Sequence, residues 1–84
     1  MIKILIIDDH PLVIDGIKTM LRDVEYLEFV NAEKTGADAL KFINDTSDID
    51  IILLDINLPD IDGLRLCELI REKNKTVKIL GLTY

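Results

Sequence analysis

Apolar side chains in this chain fall into two spacings. Residues 2–7, Ile-Lys-Ile-Leu-Ile-Ile, form a short run rich in β-branched residues that is closed by Asp8 and Asp9, and residues 50–54 repeat the pattern ahead of Asp55. Runs this short and this uniformly apolar predict strands buried on both faces. Residues 76–82, Thr-Val-Lys-Ile-Leu-Gly-Leu, are a third such run, and residues 26–30 a weaker one with more polar interruptions. Between them the apolar positions take helical spacing: Val13, Ile14, Ile17, Met20, Leu21 and Val24, then Ala39, Leu40 and Ile43, then Leu66, Cys67 and Ile70. Strands that alternate with helices pair in parallel through right-handed crossovers. The pattern therefore predicts an α/β, doubly wound parallel sheet.

The boundaries carry matching chemistry. Pro11 suits the first turn of a helix, where its missing N–H needs no partner, and Asp9 or His10 can cap it. Asp62 with Gly63 starts the third helix in the same way. Gly16, inside the first helix, costs roughly 1 kcal/mol relative to Ala. It reads either as a point of close approach or as a harmless exposed glycine.

Composition narrows the class. Eighty-four residues make one small domain at most, and 49% hydrophobic with 31% charged residues is a globular balance that excludes disordered and low-complexity classes. A net charge of -6 disfavours direct contact with nucleic-acid phosphates. A single cysteine, Cys67, rules out an internal disulfide and a thiolate zinc site; its position beside Leu66 and Ile70 reads as inert packing. No apolar run approaches a membrane span and no signal peptide is visible, so a cytoplasmic location is expected.

In an open parallel sheet ligands sit beyond the carboxyl ends of the strands. Asp8, Asp9 and Asp55 all fall there. If the first and third strands are neighbours, three carboxylates converge, and their repulsion calls for a cation. Mg²⁺ fits, being hard, oxygen-seeking and usually shared between one or two carboxylates and a phosphate. Taken alone, Asp8 and Asp9 could instead simply cap the first helix. Asp60 and Asp62 read as a solvated turn rather than metal ligands. His10 reads as a surface or capping residue outside the site.

The segments Ile-Ile-Asp-Asp-His-Pro at 6–11, Leu-Leu-Asp-Ile-Asn-Leu-Pro-Asp-Ile-Asp-Gly at 53–63 and Leu-Thr at 82–83 resemble, in order and spacing, the receiver domain of bacterial two-component response regulators. Asp-Asp-His-Pro-Leu-Val followed by a helical Gly is similar to the NarL/FixJ-like subfamily, whose output domain is a helix-turn-helix. The resemblance implies a flavodoxin-like sheet of order 2-1-3-4, without the fifth β/α unit and the helix before it. It implies that Asp55 is the phospho-acceptor, that Asp9 binds Mg²⁺ directly, that Asp8 acts mainly through metal-bound water, and that Asn57 offers its backbone carbonyl to the metal. Thr83 matches the hydroxyl that bonds the phosphoryl group, and Pro59 and Gly63 match the loop that shapes the site. The lysine that in the family follows the fifth strand has no counterpart here, and Lys78 lies inside the fourth strand.

The expected function is a non-enzymatic switch. Asp55 would accept phosphate from a sensor histidine kinase, and the state would pass to an output domain, DNA-binding by analogy, outside this chain. A phosphorylation-incompetent interaction module is the alternative. An aspartate-nucleophile phosphohydrolase fits less well, because such sites use Asp-x-Asp and here the acids are adjacent. FMN binding is disfavoured by acids at the end of the first strand, where its phosphate needs donors. With the fourth strand at the sheet edge, a homodimer or segment-swapped oligomer is expected. Leu12, off the apolar stripe of its helix, is a candidate contact for a partner kinase.

Overall fold

Seven elements alternate along the chain: β1 (Ile2–Ile7), α1 (Pro11–Arg22), β2 (Leu27–Glu33), α2 (Gly36–Asp45), β3 (Ile51–Asp55), α3 (Gly63–Lys73) and β4 (Lys78–Leu82). The structure, a computed structural model, describes residues 1–46 and 48–83. The strands form one parallel sheet of order β2-β1-β3-β4, the flavodoxin-like order expected from the motifs. From β1 the chain moves outward to β2, then crosses back over β1 to β3. The first crossover runs one way and the next two, through α2 and α3, run the other, so right-handed connections place α1 on one face and α2 and α3 on the other.

Alternation along the strands feeds these two layers. Leu5, Ile7, Ile52 and Leu54 point into the α2/α3 side, where they pack with Ala39, Ile43, Leu66 and Ile70 in one buried cluster; Cys67 packs against its margin. Ile4 and Ile6, equally buried, face the α1 layer with Ile14. Complete burial of Leu5, Ile6 and Ile7 explains why β1 reads as an unbroken apolar run.

Several boundaries differ from the sequence reading, each for a local reason. The second strand, read at 26–30, runs from Leu27 to Glu33. Its pairing with β1 shifts between Ile4 and Leu5, so Val30 is an extra residue and the alternation that marks a strand breaks there. The third strand is Ile51–Asp55 rather than 50–54, so the aspartate itself belongs to the sheet. The fourth begins at Lys78 rather than at 76, because the Asn74 side chain accepts from the backbone N–H groups of Thr76 and Val77 and holds both in a turn. Val24 lies beyond the end of α1, its N–H bonded to the Leu21 carbonyl. His10 stands at the N-cap of α1, yet neither it nor Asp9 provides a side-chain cap. Asp62 does cap α3, accepting from Leu64 N at 3.1 Å. A methyl group added at Gly16 would meet nothing within 4 Å, which resolves that ambiguity in favour of an open surface.

Candidate functional site

The order of strands reverses between β1 and β3, and their carboxyl ends form the crevice where such sheets bind ligands. Ile7 pairs with Leu54 in register, which sets Asp8 beside Asp55. Both aspartates are fully buried. Each also folds the chain back as it leaves its strand: Asp8 Oδ1 accepts from His10 N at 2.8 Å, and Asp55 Oδ1 accepts from Asn57 N at 2.8 Å.

His10 lies half exposed at the N-cap position, as its surface reading expects, but it also joins this cluster, from which the sequence reading leaves it out. Its Nδ1 lies 2.7 Å from Asp8 Oδ1, 3.3 Å from Asp9 Oδ1 and 3.4 Å from Asp55 Oδ2. An ionised carboxylate only accepts, so Nδ1 is the donor to Asp8. That hydrogen bond, together with the charges of Asp9, Asp8 and Asp55 and against a smaller opposing effect of desolvation, holds the imidazole above its usual pKa of 6.5. The turn made by Asp8 carries the ring back over the strand ends, a consequence invisible to any spacing rule.

Two carboxylate oxygens, Asp9 Oδ1 and Asp55 Oδ2, are buried without a hydrogen-bond partner. Buried polar atoms are normally satisfied, and an unbonded anionic oxygen is costly. Ligand atoms from Asp8, Asp9, His10 and Asp55 lie within 4.8 Å of one another. Converging hard oxygens, two of them unbonded, are the donor set that a small divalent cation such as Mg²⁺ requires.

The remaining predicted residues take several positions. Asn57 is exposed, with its N–H committed to Asp55. Thr83 is exposed immediately after β4, whose Leu82 pairs with Asp55 in register, so it stands at the same edge of the sheet as the acids. Lys78 pairs with Ile51 at the opposite end of the sheet, away from them. Pro59 is exposed in the loop after β3. Gly63 packs so closely on that loop that a Cβ would come within 2.4 Å of the Ile56 Cα. Asp60 and Asp62 stay out of the acidic cluster as expected, but Asp60 is more than a solvated turn residue: its carboxylate accepts from Gly36 N and Ala37 N at the start of α2.

Over residues 4–84 the sequence matches the response regulator receiver domain. The chain belongs to that family. This receiver is 37% identical over 83 residues to the response regulator UvrY of Escherichia coli, an alignment covering 99% of this chain and 38% of UvrY. It is 36% identical over 83 residues to the response regulator GacA of Pseudomonas aeruginosa, with the same coverage of 99% and 38%. These are NarL/FixJ-family regulators, the subfamily that the turn into α1 resembles. The receiver thus spans 38% of the length of these curated relatives. Among solved structures, the MaeR response regulator bound to beryllium trifluoride superposes with a TM-score of 0.88 at 31% identity, covering 99% of this chain and 67% of that one. RcsB from Salmonella enterica serovar Typhimurium, bound to the promoter rprA in the presence of the phosphomimetic BeF3-, gives 0.89 at 26% identity, covering 99% and 69%. Among the described residues of the receiver no helix is long and apolar enough to cross a membrane.

Proposed function

We propose that this receiver takes a phosphoryl group onto Asp55 from a sensor histidine kinase and relays the resulting state to an output domain outside this chain. The observation that carries the reading is Asp55 itself. It is buried at the crevice between β1 and β3, one oxygen oriented by Asn57 N–H and the other without a hydrogen bond beside Asp9 and His10. An oriented carboxylate with one unbonded oxygen can act as a nucleophile on phosphorus. That oxygen forms the new P–O bond as the P–N bond of a phosphohistidine donor breaks, and the imidazole keeps the electron pair. Asp9 and Asp55, with Asp8 and the Asn57 backbone carbonyl, would hold Mg²⁺. The ion supplies the positive charge that lets an anionic donor approach three carboxylates. Thr83, at the same sheet edge, would donate its hydroxyl to a phosphoryl oxygen and carry the change to the end of β4. RcsB, described bound to a promoter in the presence of a phosphomimetic, supports a DNA-binding output of the same kind here.

The test is Mg²⁺-dependent binding of beryllofluoride, followed by amide shifts in NMR spectra of the chain and of Asp55→Asn. Shifts spreading from Asp55 to Thr83 in the parent and absent from the folded variant are expected. Identical spectra with and without the reagent would defeat the reading.

A further inference from the structure

The cation pocket contains one donor that Mg²⁺ coordination does not call for, the imidazole of His10. We infer that His10 makes this pocket a mixed nitrogen and oxygen site for a first-row transition-metal dication, with Nδ1 joining one carboxylate oxygen each from Asp8, Asp9 and Asp55. The inference rests on the reading of these acids as a cation site and extends it to which ions the site takes.

The geometry has three parts. Donor atoms around one such ion, at bond lengths of about 2.0–2.2 Å, stand roughly 3–3.4 Å from one another. Nδ1 lies 3.3 Å from Asp9 Oδ1 and 3.4 Å from Asp55 Oδ2, within that spacing, and 2.7 Å from Asp8 Oδ1, where a hydrogen bond now draws the pair closer. The whole donor set falls within 4.8 Å. Asp55, fully buried, aims an oxygen without a hydrogen bond into the middle of it. Small movements therefore suffice to close the four donors on one ion, with Nδ1 releasing its proton to solvent and Asp8 exchanging a hydrogen bond for the metal.

Imidazole suits zinc, cobalt, nickel and copper, whereas Mg²⁺ prefers oxygen and keeps its waters. An all-oxygen pocket would gain less from such ions. His10 would thus set the competition between Mg²⁺ and the transition metals for the same acids.

The test titrates the chain, His10→Gln and Asp55→Asn with Zn²⁺ and with Mg²⁺ by calorimetry, and follows Co²⁺ by visible absorption. Circular dichroism checks that each variant is folded. In the parent, Zn²⁺ binds more tightly than Mg²⁺, and excess Mg²⁺ displaces it, which places both ions in one pocket. His10→Gln weakens Zn²⁺ binding by about tenfold or more and alters the Co²⁺ spectrum, while Mg²⁺ binding does not weaken, since that ion takes oxygen ligands. Zn²⁺ binding unchanged in His10→Gln would overturn the inference. So would tighter Mg²⁺ binding in that variant with Zn²⁺ unaltered, since His10 would then block the pocket rather than ligate. Should His10→Gln not fold, the imidazole proton resonances of the parent decide: they shift on adding Zn²⁺ if the ring ligates and stay in place if it does not. Failure of beryllofluoride binding with His10-dependent Zn²⁺ binding intact would defeat only the phosphoryl-transfer reading.

Discussion

The Asp60 carboxylate accepts a 2.9 Å hydrogen bond from the backbone N–H of Gly36, across 24 residues of sequence. With the 3.1 Å bond from Ala37 N, and with Thr35 Oγ1 accepting from Asp38 N, it satisfies the first amides of α2, which the helix itself leaves unpaired. Asp60→Ala is expected to destabilise the fold by about 0.5–2 kcal/mol in urea melts. The Gly36 hydrogen bond, reinforced by that from Ala37, holds this carboxyl below its usual 3.8. Its contribution is therefore fully present above that usual value and is lost as pH falls through the lower folded-state value. The gap between parent and variant should close on acidification; a gap constant to strong acid would show that the carboxylate charge is irrelevant.

Glu33 behaves in the opposite sense. Burial, and then the nearby charge of Asp38, raise its carboxyl above the usual 4.5. A raised folded-state pKa favours the protonated form in the fold, so this group's favourable effect is present below the usual value and disappears as pH rises through the folded one. Glu33→Gln keeps an acceptor for Asn31 Nδ2, now 2.8 Å away, and removes the charge. The variant should melt higher than the parent near neutral pH, with the difference vanishing near pH ~4. A lower melting point at neutral pH would mean that the charge stabilises the fold.

Two glycines should respond with opposite signs to the same substitution. A methyl at Gly63 meets the Ile56 Cα at 2.4 Å and its carbonyl oxygen at 2.9 Å, both backbone atoms that cannot yield without moving the loop after β3. Gly63→Ala should cost about 1–3 kcal/mol, the usual range for overpacking. Gly16 sits inside α1 with nothing in reach, so Gly16→Ala should gain about 0.5–1 kcal/mol from helix propensity alone. Thermal unfolding of both variants checks the pair.

Asp55→Asn should stabilise the metal-free chain. It removes a buried charge from a cluster of three carboxylates while its side-chain oxygen can still accept from Asn57 N. The gain is expected at about 1–3 kcal/mol, the cost of an unsatisfied buried polar group. Adding Mg²⁺ should raise the melting temperature of the parent and leave the variant nearly unmoved, because only a state that binds the ion is stabilised by it. Equal Mg²⁺ responses would place the ion elsewhere.

The strands at the centre of the sheet were legible because both faces are buried, and uniform burial leaves uniform apolarity: β1 and β3 stand out from the sequence within a residue of their ends. β2 was displaced because the extra residue at Val30 interrupts the alternation, and β4 because Asn74 ties down two residues that look like strand. The acids Asp8, Asp9 and Asp55 were legible as a convergence because strand ends in a parallel sheet share one edge. His10 was not, since its place depends on a turn that one hydrogen bond to Asp8 makes, and a solitary histidine carries no periodic signal. Asp60 was legible as a turn residue, whereas its hold on α2 joins positions that no local pattern connects.

The extra residue at Val30 also decides how the acidic pocket is mounted. By taking up one position in β2, it keeps the two strands paired up to Glu33, whose carbonyl then accepts the amide of Asp8 at 3.0 Å. The main chain beneath the carboxylates is bonded to the outer strand at the very residue where the pocket begins. An ion arriving there would meet main chain already hydrogen-bonded into the sheet on this side, and would be accommodated by rotation of the carboxylate side chains.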